Sequence, residues 1–171
     1  GEMTVHTGLG SFRTIDVEDL SKHRVDAEYV NIPEKLANKI NKTKANGRKV
    51  CAVGTSIMRG LESSVTSTGE VKPYDGWTNL FIYPPFDFNV ANCLLTNLHV
   101  PKSSLQIMVS SYAGYDLIMK AYEECMEKKL DINREIVNAL QDGLRDAIKS
   151  KLGGYSSPLE GYVKEVVHEH E

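Results

Sequence analysis

Thr96, Asn97, His99, Lys102, Ser103 and Ser104 crowd into the stretch LLTNLHVPKSS, Leu94 to Ser104. An apolar run ends there, and Pro101 bars an ordinary helix through the residues before it. Ser103 or Ser104 is placed to cap a helix starting near Leu105. A buried strand is thus expected to deliver an amide, an imidazole, an ammonium and hydroxyls to one edge. Such strand-to-helix junctions dock anions and cofactors, because free backbone N–H groups point outward. The plainer alternative is that Asn97 and His99 only hydrogen-bond a turn.

Two other stretches share this character. In RKVCAVGTSIMRGLESSV, a short run ends at Gly54, and Thr55 or Ser56 can cap the helix that follows. Gly54 lets a ligand approach the backbone, and Arg59 and Glu62 lie three apart on one helix face. A capped helix with a surface Arg–Glu pair is the competing reading. Near the start, Gly8 and Gly10 permit a tight turn or close approach of a ligand, flanked by His6 and Arg13. An ordinary hairpin turn explains those glycines equally well.

The elements that must position these residues follow from periodicity. Val50, Ala52 and Val53 predict a short buried strand of a parallel-type sheet. Pro33 opens an amphipathic helix with Leu36, Ala37 and Ile40 on one face and Gly47 as its stop. Lys35, Lys39, Lys42 and Lys44 make it the most basic part of the chain, a solvated face or a contact for a phosphate backbone. Asp19–Tyr29 is polar and predicts an irregular run or short helix, with His23, Arg24, Asp26 and Glu28 on a solvated rim. Residues 67–76 predict a surface loop, and WTNLFIY (Trp77–Tyr83) an aromatic strand stopped by Pro84-Pro85. Helices are expected over 104–113 and 115–129, the second with a core-packing stripe that includes Tyr122. Two more, at 133–152 and from Pro158, form a helical tail, with a boundary near Leu130. The fold class expected is α/β, a mixed sheet with flanking helices plus a helical C-terminal appendage.

Composition bounds the rest. The 171 residues are 41% hydrophobic and 25% charged, as in ordinary soluble domains. The net charge of −3 gives no whole-chain argument for nucleic acid, and residues 131–171 carry all of it. No run is apolar enough to span a bilayer and no signal peptide is visible, so a cytoplasmic protein is expected. Cys51, Cys93 and Cys125 are odd in number and set in apolar runs, which predicts buried free thiols rather than disulfides or a zinc site.

Taken together, VHTGLGSFR, DAEY, AVGTSIMRGLES, GWTNLFIYPPFDF and LLTNLHVPKSSLQIMVSSYAG are more specific than any one motif. In that order they resemble the C-terminal part of the S-adenosylmethionine:tRNA ribosyltransferase-isomerases of queuosine biosynthesis, over about residues 3–129. Where that family continues with a motif like YRFFSYGDAMLI, this chain has LDINREIVNALQ. The family's N-terminal half, with an additional β-rich domain, has no counterpart here, and a partner chain supplying it is one expectation.

The resemblance implies transfer and isomerisation of the ribosyl group of S-adenosylmethionine onto 7-aminomethyl-7-deazaguanine in a tRNA anticodon, giving epoxyqueuosine-tRNA without a metal. The sulfonium acidifies the ribose 5′-carbon, so a base is needed while adenine departs. His99 is the candidate, with His6 the alternative. Arg13 or Arg59 suits the charge that develops on adenine or the ring oxygen. The methionine carboxylate fits the helix start at Gly54–Ser56, and its ammonium fits Glu62. Asn97 would orient a ribose or base edge, and Lys102 would meet a phosphate. Two other classes compete with the enzyme: a non-catalytic module binding S-adenosylmethionine or tRNA, and a helical interaction protein.

Overall fold

The structure, a computed structural model, describes residues 1–8, 10 and 13–128. All of these lie in a compact unit, Gly1–Leu130. The helices expected at 133–152 and from Pro158 fall outside the described residues, as do Leu9, Ser11 and Phe12 of the first glycine turn.

Among the described residues, two small sheets, four α-helices and a short 3-10 helix (Leu20–Lys22) make up this unit. Strands β1 (Thr4–His6), β2 (Glu28–Ile32) and β4 (Tyr74–Thr78) form an antiparallel sheet in the order β1-β2-β4. Strands β3 (Cys51–Val53) and β5 (Cys93–Leu95) form a parallel pair. Helices α1 (Glu34–Ala45), α2 (Thr55–Ser63), α3 (Ser104–Ala113) and α4 (Tyr115–Glu127) complete the mixed α/β architecture expected from periodicity.

The central strand of the antiparallel sheet arises where the sequence suggested a polar rim. Glu28, Val30 and Ile32 turn inward along β2 and are buried, while Tyr29 and Asn31 turn outward. A glutamate at an inward position disguised the strand's alternation. The aromatic strand expected at Trp77–Tyr83 is displaced upstream to Tyr74–Thr78, because its backbone pairs along the whole of β2, from Glu28↔Thr78 to Ile32↔Tyr74.

The core joins Val30 and Ile32 of the sheet to Ala37 and Ile40 of α1, Met58 and Leu61 of α2, and Met108 of α3. Helix α2 lies so close to the sheet that a Cβ on Gly60 would sit 2.7 Å from Met3 Cε and 3.1 Å from Val30 Cγ1. Side-chain amides and a carboxylate tie the connecting loops to these elements. Asn41 donates to Val71 O and accepts from Val71 N–H, each at 2.9 Å. Glu62 is buried, and its two oxygens accept from Asn89 N–H at 3.0 Å and Val90 N–H at 2.9 Å. Replacing Glu62 by glutamine turns an NH2 toward one of those donors. That should cost about 1–3 kcal/mol, read as a lowered urea midpoint at unchanged slope; an unaltered midpoint would contradict this account of the loop.

Two expectations about burial need correction. Ala52 faces the core, but Val53 is 52% exposed and Cys51 and Cys93, register partners across β3 and β5, are exposed. The pair is covered on one face only, so its outward positions carry thiols that the apolar context had suggested were buried. Helix α4 likewise buries none of its residues, with Leu117 62% and Met126 67% exposed. Its stripe is therefore not core among the described residues.

Candidate functional site

Strands β3 and β5 run parallel, so both deliver their carboxyl ends to the same edge, where open α/β sheets commonly place ligands. Gly54 N–H donates to Leu95 O at 2.8 Å, which sets the turn into α2 directly beside the turn that leads to α3. Gly54 sits at φ +99°, a region that strains any residue with a Cβ. No side chain caps α2, and Met58 N–H takes Gly54 O to open the helix.

The second turn is held from within. Ser103 caps α3 by accepting from Gln106 N–H at 3.3 Å and donates to Val100 O at 2.7 Å. Lys102 adopts φ +59°, and its N–H donates to Gln106 Oε1 at 2.8 Å. The backbone just after the first glycine stretch lies against this turn. Thr14 bridges Ser103, and Ile15 N–H donates to Lys102 O at 2.8 Å. Two of the stretches singled out by chemistry thus share one edge, and Thr14 and Ile15, just after the third, lie against it through backbone contacts.

His99 occupies this edge half-buried. Its Nε2 lies 3.3 Å from Thr96 Oγ1, while Nδ1 is shielded from solvent and has no hydrogen-bond partner among the described residues. Burial disfavours the imidazolium and pushes the His99 pKa below its ordinary 6.5, so the ring is neutral at pH 7. Tyr122 of α4 fixes the backbone beneath it: its hydroxyl accepts from His99 N–H at 2.6 Å and donates to His99 O at 3.2 Å. Periodicity placed Tyr122 in an apolar stripe, and nothing in its spacing marks this contact. Asn97 accepts from Leu98 N–H at 2.7 Å through Oδ1.

The remaining candidates scatter. Arg13 stays exposed, 3.8 Å from Asp26, and a Cβ on Gly10 would collide with that same aspartate. Gly8 has open space around it. Thr55 is buried and Ser56 half-buried in the first turn of α2. Arg59 does not pair with Glu62 on the surface. It is 2% exposed and makes an ion pair with Glu28 beneath the sheet, which takes it away from the open edge. Glu62, with both oxygens on backbone N–H groups, is likewise committed. His6 stands on the outer face of the antiparallel sheet against Tyr29. Lys35, Lys39, Lys42 and Lys102 are exposed, whereas Lys44 Nζ is tethered to Gly69 O at 2.5 Å and Asn89 O at 2.7 Å. Among the described residues no group of three His, Cys, Asp or Glu is arranged to hold a metal, and no helix is long and apolar enough to cross a membrane.

A sequence model of the family described as queuosine biosynthesis protein matches residues 1–132. The chain belongs to this family. It is 48% identical over 128 residues to an S-adenosylmethionine:tRNA ribosyltransferase-isomerase of Flavobacterium psychrophilum, covering 75% of this chain and 37% of that one. It is 50% identical over 127 residues to a protein of the same name from Parabacteroides distasonis, covering 74% and 36%. The crystal structure of an S-adenosylmethionine tRNA ribosyltransferase from Thermotoga maritima superposes with a TM-score of 0.54 at 39% identity, covering 59% of this chain and 35% of that chain. The chain therefore spans little more than a third of the length of these family members. The family match includes every stretch that meets at the edge.

Proposed function

We propose that this chain carries the S-adenosylmethionine-handling edge of a tRNA ribosyltransferase-isomerase, acting in the cytoplasm on a tRNA that holds 7-aminomethyl-7-deazaguanine. The observation that carries the reading is the Gly54–Leu95 hydrogen bond, which makes one site of two strand-to-helix turns. A boundary near Leu130 fits it, since the family match ends at residue 132. The tail beyond is a separate appendage in this reading, and a further polypeptide supplies the rest of the substrate surface.

S-adenosylmethionine supplies the ribosyl group and, through its sulfonium, an acidic 5′-carbon. The first turn of α2, with the N–H groups of Thr55 and Ser56, receives an anionic carboxylate; its dipole and free donors both favour negative charge. His99, held toward its neutral form by burial, accepts the proton. Arg13, exposed and held at long range by Asp26, is the cation available for developing negative charge. Arg59 and Glu62 hold the scaffold in this account. Asn97 orients a ribose or base edge. Lys102 takes a phosphate, and Lys35, Lys39 and Lys42 contact the tRNA backbone.

Calorimetric titration with S-adenosylmethionine tests the reading, with Gly54→Val as control. The wild-type chain should bind, and the variant, strained at φ +99° in the turn itself, should lose binding. Silence from a wild-type chain shown to be folded by circular dichroism would overturn it.

A further inference from the structure

The outer face of the antiparallel sheet is not an ordinary solvated surface. Cross-strand register aligns His6 of β1 with Tyr29 of β2, and Tyr29 with Trp77 of β4. The three rings touch edge to face in one row across all three strands, with centroids 5.2 Å apart for His6–Tyr29 and 5.9 Å for Tyr29–Trp77. Trp77 is 67% exposed, though a tryptophan this open forfeits much of its burial energy. Isolated exposed apolar residues need no explanation, but a contiguous row of aromatics does.

A carboxylate is fixed beside this row. Asp75 lies two residues from Trp77 on the same face, opposite Asn31. Tyr29 Oη donates to Asp75 Oδ1 at 2.6 Å, and Asn31 Nδ2 donates to Asp75 Oδ2 at 3.2 Å. The hydrogen bond to Asp75 also raises the Tyr29 pKa, which keeps the phenol a donor. A carboxylate offers about four acceptor positions, so two donors leave it able to take another.

We propose that this face binds a flat aromatic base carrying a positive charge, its ring on the His6–Tyr29–Trp77 row and its cation toward Asp75. Bases stack favourably on aromatic side chains, and a cation near these rings gains further from their π faces. The negative charge of Asp75 opposes a phosphate track and selects a cationic ligand. An aminoalkyl-substituted deazapurine has both features. Its assignment as the tRNA's modified base rests on the function proposed above, whereas the ligand chemistry rests on the face alone.

Trp77 is the chain's single tryptophan, so its fluorescence reports on this surface directly. The full chain is titrated with 7-aminomethyl-7-deazaguanine, with guanine and with S-adenosylmethionine, by fluorescence and by calorimetry. The aminomethyl base should quench Trp77 and bind more tightly than guanine. Asp75→Asn should erase that preference, weakening the cationic base by roughly tenfold or more and leaving guanine unchanged. Trp77→Ala should weaken both bases in calorimetry. No binding of the cationic base, or equal loss of both bases in Asp75→Asn, overturns the proposal, as does Asp75-dependent quenching by S-adenosylmethionine instead. Base binding with no S-adenosylmethionine binding would sink the proposed function and leave this site standing; the reverse result would do the opposite.

Discussion

Replacing Arg59 by methionine should lower the unfolding free energy by about 3–5 kcal/mol, the cost of breaking a buried ion pair from one side. The side chains of Arg59 and Glu28 are each 3% exposed, and burial alone works against the guanidinium, lowering its pKa. Their ion pair therefore offsets part of the desolvation penalty of burying both charges. It also joins α2, which carries the Gly54 turn, to the central strand of the antiparallel sheet. The Glu28→Met/Arg59→Met double variant should recover most of the loss, because no charge remains to be solvated. Urea unfolding at unchanged slope measures both effects. A single variant within about 1 kcal/mol of wild type, typical of an exposed pair, would mean that this pair is not buried in solution.

His99→Ala should reduce ribosyl transfer by roughly 10²–10⁴-fold, the range for removal of a positioned base. S-adenosylmethionine affinity should change little. Single-turnover transfer to precursor tRNA, with any polypeptide that completes the enzyme present, measures the first; calorimetry measures the second. An unchanged single-turnover rate would remove His99 from the chemistry. The pH dependence provides a second reading. A base must be deprotonated, and burial holds the folded-state pKa below 6.5, so the acid limb should fall below pH 6.5. Stability moves in the same window with a definite sign. As pH drops below 6.5 the unfolded chain binds a proton that the folded chain refuses, so stability from this group is lost until the folded pKa is passed. An acid limb above 6.5 would assign the base elsewhere.

How much of this was legible beforehand divides along the range of the interactions. The cap on α3 at Ser103, the stop at Gly47 and the helical pattern of α1 depend on residues a few positions apart, and the sequence displays them openly. The ordered motifs placed the chain in its family for the same reason, since each is a contiguous string. The polar run ending at Glu28 misled because burial of a charge depends on a partner thirty-one positions away, Arg59. Alternation with a glutamate in the inward series reads as a solvated surface until that partner is known.

Local sequence thus determined the Ser103 cap, the inner face of α1 and the identity of the three chemically rich stretches, but not a side-chain cap for α2 or the exposure of the α4 stripe. Only the tertiary structure decided that the Gly54 turn and the Leu94–Ser104 stretch share one edge, with Thr14 beside Ser103, and that Tyr122 braces His99. It alone aligned His6, Tyr29 and Trp77 into one row. Register and long-range ion pairing are set by which backbones and charges can be satisfied together in the folded chain, and no period of 2 or 3.6 residues encodes that choice.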